Sequence, residues 1–180
     1  MHRSVLLLSS VAIVTGLAVT ETATSHSEGS EDYSATAVLK DAAGQKVGSA
    51  ALQETPNGVL LTVDLAGVPA GAHAFHIHEH GRCDPPSFDS AGEHFALHRK
   101  QHGFLDVAGP HAGDLPNIHV PEDKRLSVEI LARGVTIGPG DQSIADADGA
   151  ALVIHADRDD YKTQPAGEAG KRIACGVITR

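Results

Sequence analysis

The chain has no tryptophan, and its aromatic residues are four Phe and two Tyr in 180 positions. A core cannot rest on aromatic bulk. It has to be built from Val, Leu, Ile and Ala, and the β-branched members of that set suit packed strands. No segment carries a convincing 3.6-residue apolar period, so a helical architecture is not supported, and no internal repeat is visible. Positive charge is also scarce: 14 Lys and Arg stand against 23 Asp and Glu, for a net charge of −9. No basic stripe is available to neutralise phosphates, which argues against a nucleic-acid partner, and an anionic substrate would have to be drawn by a local positive patch.

Long apolar runs are missing apart from one. His2 and Arg3 precede a mostly apolar stretch from Val5 to Val19, the layout of a secretory signal and short for a stable membrane span. Residues 1–23 are read as a signal peptide cleaved near Ala23, with retention as an N-terminal anchor as the alternative. Residues 24–33, rich in Ser and Glu and without periodicity, read as a flexible linker. The remaining residues, 34–180, suffice for one well-buried domain and not for two. Cysteine is limited to Cys83 and Cys175. In an exported chain this pair reads as a disulfide, and in a cytosolic one as two buried thiols. Export places the protein in a periplasmic or extracellular setting.

Eight strand-like runs follow: Ala35 to Lys40, Lys46 to Glu54, Gly58 to Ala66, Ala72 to His80, Asn117 to Val120, Arg125 to Ala132, Ala150 to His155 and Ile173 to Thr179. Turn signals at Asp41–Gly44 and Pro56–Gly58 separate the early ones, so the fold class is all-β, an antiparallel sandwich or barrel. Two stretches, Gly81 to Pro116 and Ala156 to Arg172, are too long for ordinary turns and read as functional loops.

The run His73 to Gly81 places His76 and His78 two residues apart, hence on one face of a strand, with His73, Phe75 and Ile77 on the other. The first long loop adds His94, His98, His102, His111 and Asp114. Nitrogen and carboxylate donors at this density suit zinc or copper rather than calcium or magnesium.

The strings GAHAFHIHEHG, AGEHF, KQHG, GPHAGDL, VIHADRDD and GKRIACGVI occur in this order. Together they resemble the copper,zinc superoxide dismutase family, in particular its exported bacterial branch, over nearly all of residues 34–180. The resemblance implies an eight-stranded Greek-key β-barrel. It implies copper, cycling between Cu(2+) and Cu(+), on His76, His78, His94 and His155, and zinc on His94, His102, His111 and Asp114. Asp159 would be the outer carboxylate that hydrogen-bonds one ligand of each metal. The implied activity is disproportionation of superoxide to oxygen and hydrogen peroxide. His94 would take up a proton as it leaves reduced copper, with Arg172 and Lys162 guiding the anion. The chain would be a monomer or a homodimer.

His73 reads as a satisfied structural histidine, and His80, His98, His119 and Lys171 as residues without a role in the site. One segment departs from the family. Ala96, Leu97, His98 and Arg99 replace its turn-forming residues, so a helical turn could bring His94, His98 and His102 onto one face. The rival reading is an exported copper or zinc carrier or buffer with a dismutase-like fold.

Overall fold

The computed structural model describes residues 33–97 and 100–180. The signal peptide and linker expected at 1–23 and 24–33 lie outside the described residues except for Tyr33, as do His98 and Arg99. Nine strands are present: β1 (Ser34–Asp41), β2 (Lys46–Thr55), β3 (Gly58–Ala66), β4 (Gly71–His73), β5 (Phe75–His78), β6 (Ile118–Val120), β7 (Arg125–Ala132), β8 (Ala151–His155) and β9 (Arg172–Thr179). Seven form one antiparallel sheet in the order β5-β8-β9-β1-β2-β3-β7, and β4 and β6 form a two-stranded ribbon.

The ribbon explains how the curled sheet closes. Only Ala74 separates β4 from β5, and only the 121–124 turn separates β6 from β7. The β4–β6 ladder, Gly71 to Val120 through His73 to Ile118, therefore joins the two outer strands of the large sheet. The 67–70 connection carries the chain from β3, beside β7, to β4, beside β6, crossing the 121–124 turn where Gly67 N donates to Lys124 O (3.1 Å), so consecutive strands are not neighbours, as in a Greek key. All-β and antiparallel were expected; the count of eight strands was not met. Instead of running from Ala72 to His80, the fourth strand breaks at Ala74, whose N–H donates to Asp157 O (2.8 Å) and whose carbonyl accepts from His155 N (3.0 Å). A backbone committed to the 155–157 segment cannot continue one ladder, so the run changes partners there.

Period-two patterning sorts the sheet faces. Leu39, Leu52, Val59, Leu61, Val63, Phe75, Ile77, Leu152 and Ile154 face inward and are fully or almost fully buried. On the opposite face of β8 and β9, Ala151, Val153 and Cys175 are covered by Phe88, Ala91 and Cys83 of the 81–92 arm. Cys83 and Cys175 form a disulfide with Cα atoms 5.7 Å apart, pinning that arm to β9. All four residues of β5 are buried. The histidine side of this strand thus lies beneath loops, not in solvent.

Candidate metal centre

Three of the converging imidazoles come from the sheet. His76 pairs across the ladder with Val153 and His78 with Ala151, so both histidines share the outer face with His155, two residues beyond Val153. The long loop supplies the rest. Its two arms lie against the free edge of β5: Ile77 N donates to Gly113 O (2.9 Å), and Phe95 N donates to Ile77 O (2.9 Å). Bridge pairs set His94 opposite His78 and Asp114 opposite His76. Gly113 is required by this approach, because a Cβ at that position would run into Ile77 O.

Two donor groups result, each with its ligand atoms within 4.8 Å of one another: His76, His78, His94 and His155, and His94, His102, His111 and Asp114. His94 belongs to both. Its Nδ1 lies 2.8 Å from Asp114 Oδ1, which also faces His102 Nδ1 (3.1 Å) and His111 Nδ1 (3.4 Å). His78 Nε2 and His155 Nε2 stand 3.4 Å apart on the other side.

The outward nitrogens are hydrogen-bonded, which fixes each ring's tautomer and aim. His76 Nε2 and His102 Nε2 donate to the two oxygens of Asp159 (2.8 and 2.9 Å). His78 Nδ1 donates to Gly92 O (2.9 Å), His155 Nδ1 faces Gly170 O (3.4 Å), and His111 Nε2 donates to Lys100 O (3.1 Å). What remains points inward. His76 Nδ1, His94 Nε2 and His111 Nδ1 are buried without a hydrogen-bond partner. Buried polar atoms are rarely left unpaired, and inward lone pairs of neutral imidazoles are what a metal ion needs. The residues fit the two ions: three imidazoles and a carboxylate make a closed tetrahedral zinc shell, and four imidazoles suit copper.

Electrostatics keep the lone pairs available. Burial lowers His94 to about 4 against the opposing hydrogen bond from Asp114, and lowers His155 to about 3, helped by the nearby His76. Burial likewise lowers His76 despite Asp159, and lowers His78 well below the ordinary imidazole value, reinforced by His94 and Arg172. His102 differs. Burial opposes its charge, but hydrogen bonds and charge from Asp114 and Asp159 outweigh that and raise it to about 9. Both carboxylates are held below the usual range: burial works against them, but hydrogen bonds from His102 and its neighbours prevail.

Arg172 reaches the site through an irregularity. β9 loses register between Ile154 and His155, so that His155 faces Arg172 with Ile173 skipped. Strict alternation would have turned Arg172 to the inner face; the extra residue re-aims it. Its Nη1 donates to Phe88 O (2.8 Å) and its Nη2 to Gly92 O (2.7 Å), the same carbonyl that receives His78 Nδ1. Lys162 is exposed on the 156–171 loop, with its backbone N–H on Asp160 Oδ1 (2.9 Å).

Of the residues set aside, His73 is buried with Nδ1 2.8 Å from His155 O and Nε2 2.9 Å from Pro69 O. It sits on β4, wedged among carbonyls, rather than beside Phe75 on one strand. His80 is part-exposed near Glu79 and Asp148 (3.6 and 3.4 Å), and His119 is exposed on β6. Residues 95–97 take no helical turn, and the rings of His94 and His102 meet with centroids 5.2 Å apart; the His98 of the expected turn lies outside the described residues. Two residues that sequence reasoning overlooked also bear on the site. Asn117 pairs with both backbone groups of Asp159: its Nδ2 donates to Asp159 O (2.9 Å), and its Oδ1 accepts from Asp159 N (2.7 Å). Gln164 makes the matching pair with His102.

A family model described as copper/zinc superoxide dismutase matches residues 46–178. A superoxide dismutase [Cu-Zn] of Aquifex aeolicus is 49% identical over 151 residues, covering 83% of this chain and 88% of that protein. One from Caulobacter vibrioides is 45% identical over 148 residues, covering 81% and 85%. Among solved structures, a double mutant of a superoxide dismutase-like protein from Bacillus subtilis aligns with a TM-score of 0.78 at 38% identity, over 81% of this chain and 97% of that one.

Proposed function

Because the chain belongs to the copper/zinc superoxide dismutase family, we propose a division of labour among its own side chains. The activity is disproportionation of superoxide to molecular oxygen and hydrogen peroxide, and the cofactors are copper and zinc. Copper would be held by His76 Nδ1 and by Nε2 of His78, His94 and His155. Zinc would be held by Nδ1 of His94, His102 and His111 and by Asp114. The observation that carries this reading is His94, one imidazole with Nδ1 on Asp114 and an unpartnered Nε2 among the other three histidines.

Copper, when bound, supplies the one-electron oxidation of one superoxide and the one-electron reduction of another. The chain supplies the rest. His94, lowered to about 4 by burial, is neutral at physiological pH, so its Nε2 would offer copper a lone pair, and the same atom would be the one to hold a proton for the product whenever copper does not occupy it. Arg172 has two N–H groups committed to backbone carbonyls. Its planar fork is therefore held beside His78 with further donors free for a small anion. In a chain of net charge −9 such a focused cation is what draws superoxide in. Lys162 would add to the same field from farther out.

Residues 34–180 form the catalytic domain in this reading, preceded by a leader at 1–23 and a linker at 24–33. The leader and the disulfide support export to the periplasm or beyond, where such bonds persist. No helix among the described residues is long and apolar enough to cross a membrane. The test is metal analysis of the oxidised protein together with direct measurement of superoxide decay. One copper and one zinc per chain with accelerated decay is expected; metal at that ratio without acceleration would make the protein a carrier. A copper absorption band that ignores addition or withdrawal of zinc would refute the shared role of His94.

A further inference from the structure

His102 occupies an unusual position among the ligands. Its ring is spoken for on both sides, Nε2 on Asp159 Oδ1 and Nδ1 towards Asp114 Oδ1. Its backbone, however, lies in a loop, and among the described residues no backbone group pairs with its N–H or its carbonyl. Both are taken by one side chain. Gln164 Oε1 accepts from His102 N, and Gln164 Nε2 donates to His102 O, each at 2.9 Å. The same amide nitrogen lies 3.2 Å from Lys162 O and 3.4 Å from Asp106 Oδ2.

This geometry removes the freedom that would otherwise let the ligand drift. A histidine side chain has two torsions. Fixing the backbone by a two-point amide pair and Nε2 by a carboxylate leaves Nδ1 aimed in one direction. Both holds come from one segment, Asp159 and Gln164, five residues apart on the 156–171 loop. The segment also fits closely over the ring. Gly167, at φ 67°, has no room for a Cβ, which would strike Asp159 Oδ1 and His102 Nε2. A leucine at 164 would occupy comparable space and would offer the backbone of His102 nothing.

We propose that Gln164 is a positioning residue for the zinc ligand His102, acting through the ligand's backbone rather than its ring. The inference rests on the reading of His94, His102, His111 and Asp114 as the zinc site. It predicts that the loop carrying Lys162 controls how firmly zinc is held. An outer partner of a metal ligand is generally worth about 10- to 100-fold in affinity, and one step further out the lower end applies.

The test uses the full-length protein loaded with zinc, or with cobalt(II) at the zinc position, whose visible bands report coordination geometry. Gln164→Ala is expected to speed zinc release to a chelator about tenfold and to shift the cobalt bands. Gln164→Glu keeps the acceptor for His102 N but turns an oxygen instead of a donor onto His102 O, Lys162 O and Asp106 Oδ2, so it should also shift the cobalt bands and release zinc at least as fast as Gln164→Ala. If His102→Ala retains the wild-type cobalt spectrum, the zinc-site reading itself fails. If His102→Ala abolishes the bands while Gln164→Ala and Gln164→Glu both match wild type in spectrum and release rate, the role of Gln164 is overturned. Should Gln164→Ala fail to fold, Gln164→Glu carries the same criteria.

Discussion

Zinc binding should release a proton from His102. In the metal-free protein this ring lies between Asp114 and Asp159, with each nitrogen within hydrogen-bond reach of a carboxylate oxygen, and is raised to about 9. At pH 7 it is about two units below that value, so roughly 99% of molecules carry the extra proton. Zinc requires the Nδ1 lone pair and must displace it. The cost is about 100-fold in apparent affinity at pH 7, or about 3 kcal/mol. The sign is definite: zinc affinity rises about tenfold per pH unit up to about pH 9 and levels off above it. His94, lowered to about 4, is already neutral over that range and adds no slope. Isothermal titration calorimetry of zinc into the metal-free protein, in two buffers of different ionisation enthalpy, counts the protons directly. About one proton per zinc at pH 7 is expected from this ring. A proton release of zero together with an affinity flat between pH 6 and pH 8 would refute the argument that the two carboxylates hold His102 as an imidazolium.

Three further outcomes follow from the same geometry. Asp159→Ala frees the outward nitrogens of His76 and His102 together, and should weaken zinc retention by about 10- to 100-fold, read by chelator competition. Arg172→Ala should slow superoxide decay by about tenfold or more and flatten its dependence on ionic strength. Arg172→Lys keeps the charge but loses the two-carbonyl fork and should lie between. Replacing Cys83 and Cys175 by Ser opens a closure of 92 residues. By chain entropy this destabilises the fold by about 4 to 5 kcal/mol, visible as a lower denaturant midpoint.

Much of this was legible in the residues because the relevant signals are local. Two-residue spacing put His76 and His78 on one face, and alternating apolar runs marked the strands of the main sheet with ends displaced by a residue or two. The break at Ala74 was not legible. Alternation says which face a residue takes but not which strand it pairs with, and here the partner changes from β6 to β8. Arg172 was identified by resemblance, yet the means of its delivery is a skipped residue in a ladder. Such an irregularity depends on the neighbouring strand and leaves no mark in its own sequence. Gln164 and Asn117 were missed for a related reason. A side-chain amide that pairs with a distant backbone can be recognised only once the two loops are folded against each other.

The contact between the long loop and β5 has a second consequence. β5 is an outer strand of the main sheet, and strands at a sheet border expose unpaired N–H and C=O groups that other chains can capture. Here those groups are occupied by Phe95 and Gly113, the immediate neighbours of His94 and Asp114. The residues read as holding zinc therefore also hold a guard rail over one border of the sheet. Stripping the metal should loosen that rail, and chelation should speed self-association in light scattering well before the barrel itself unfolds. On this view the zinc loop protects the protein from other copies of itself as much as it serves the chemistry.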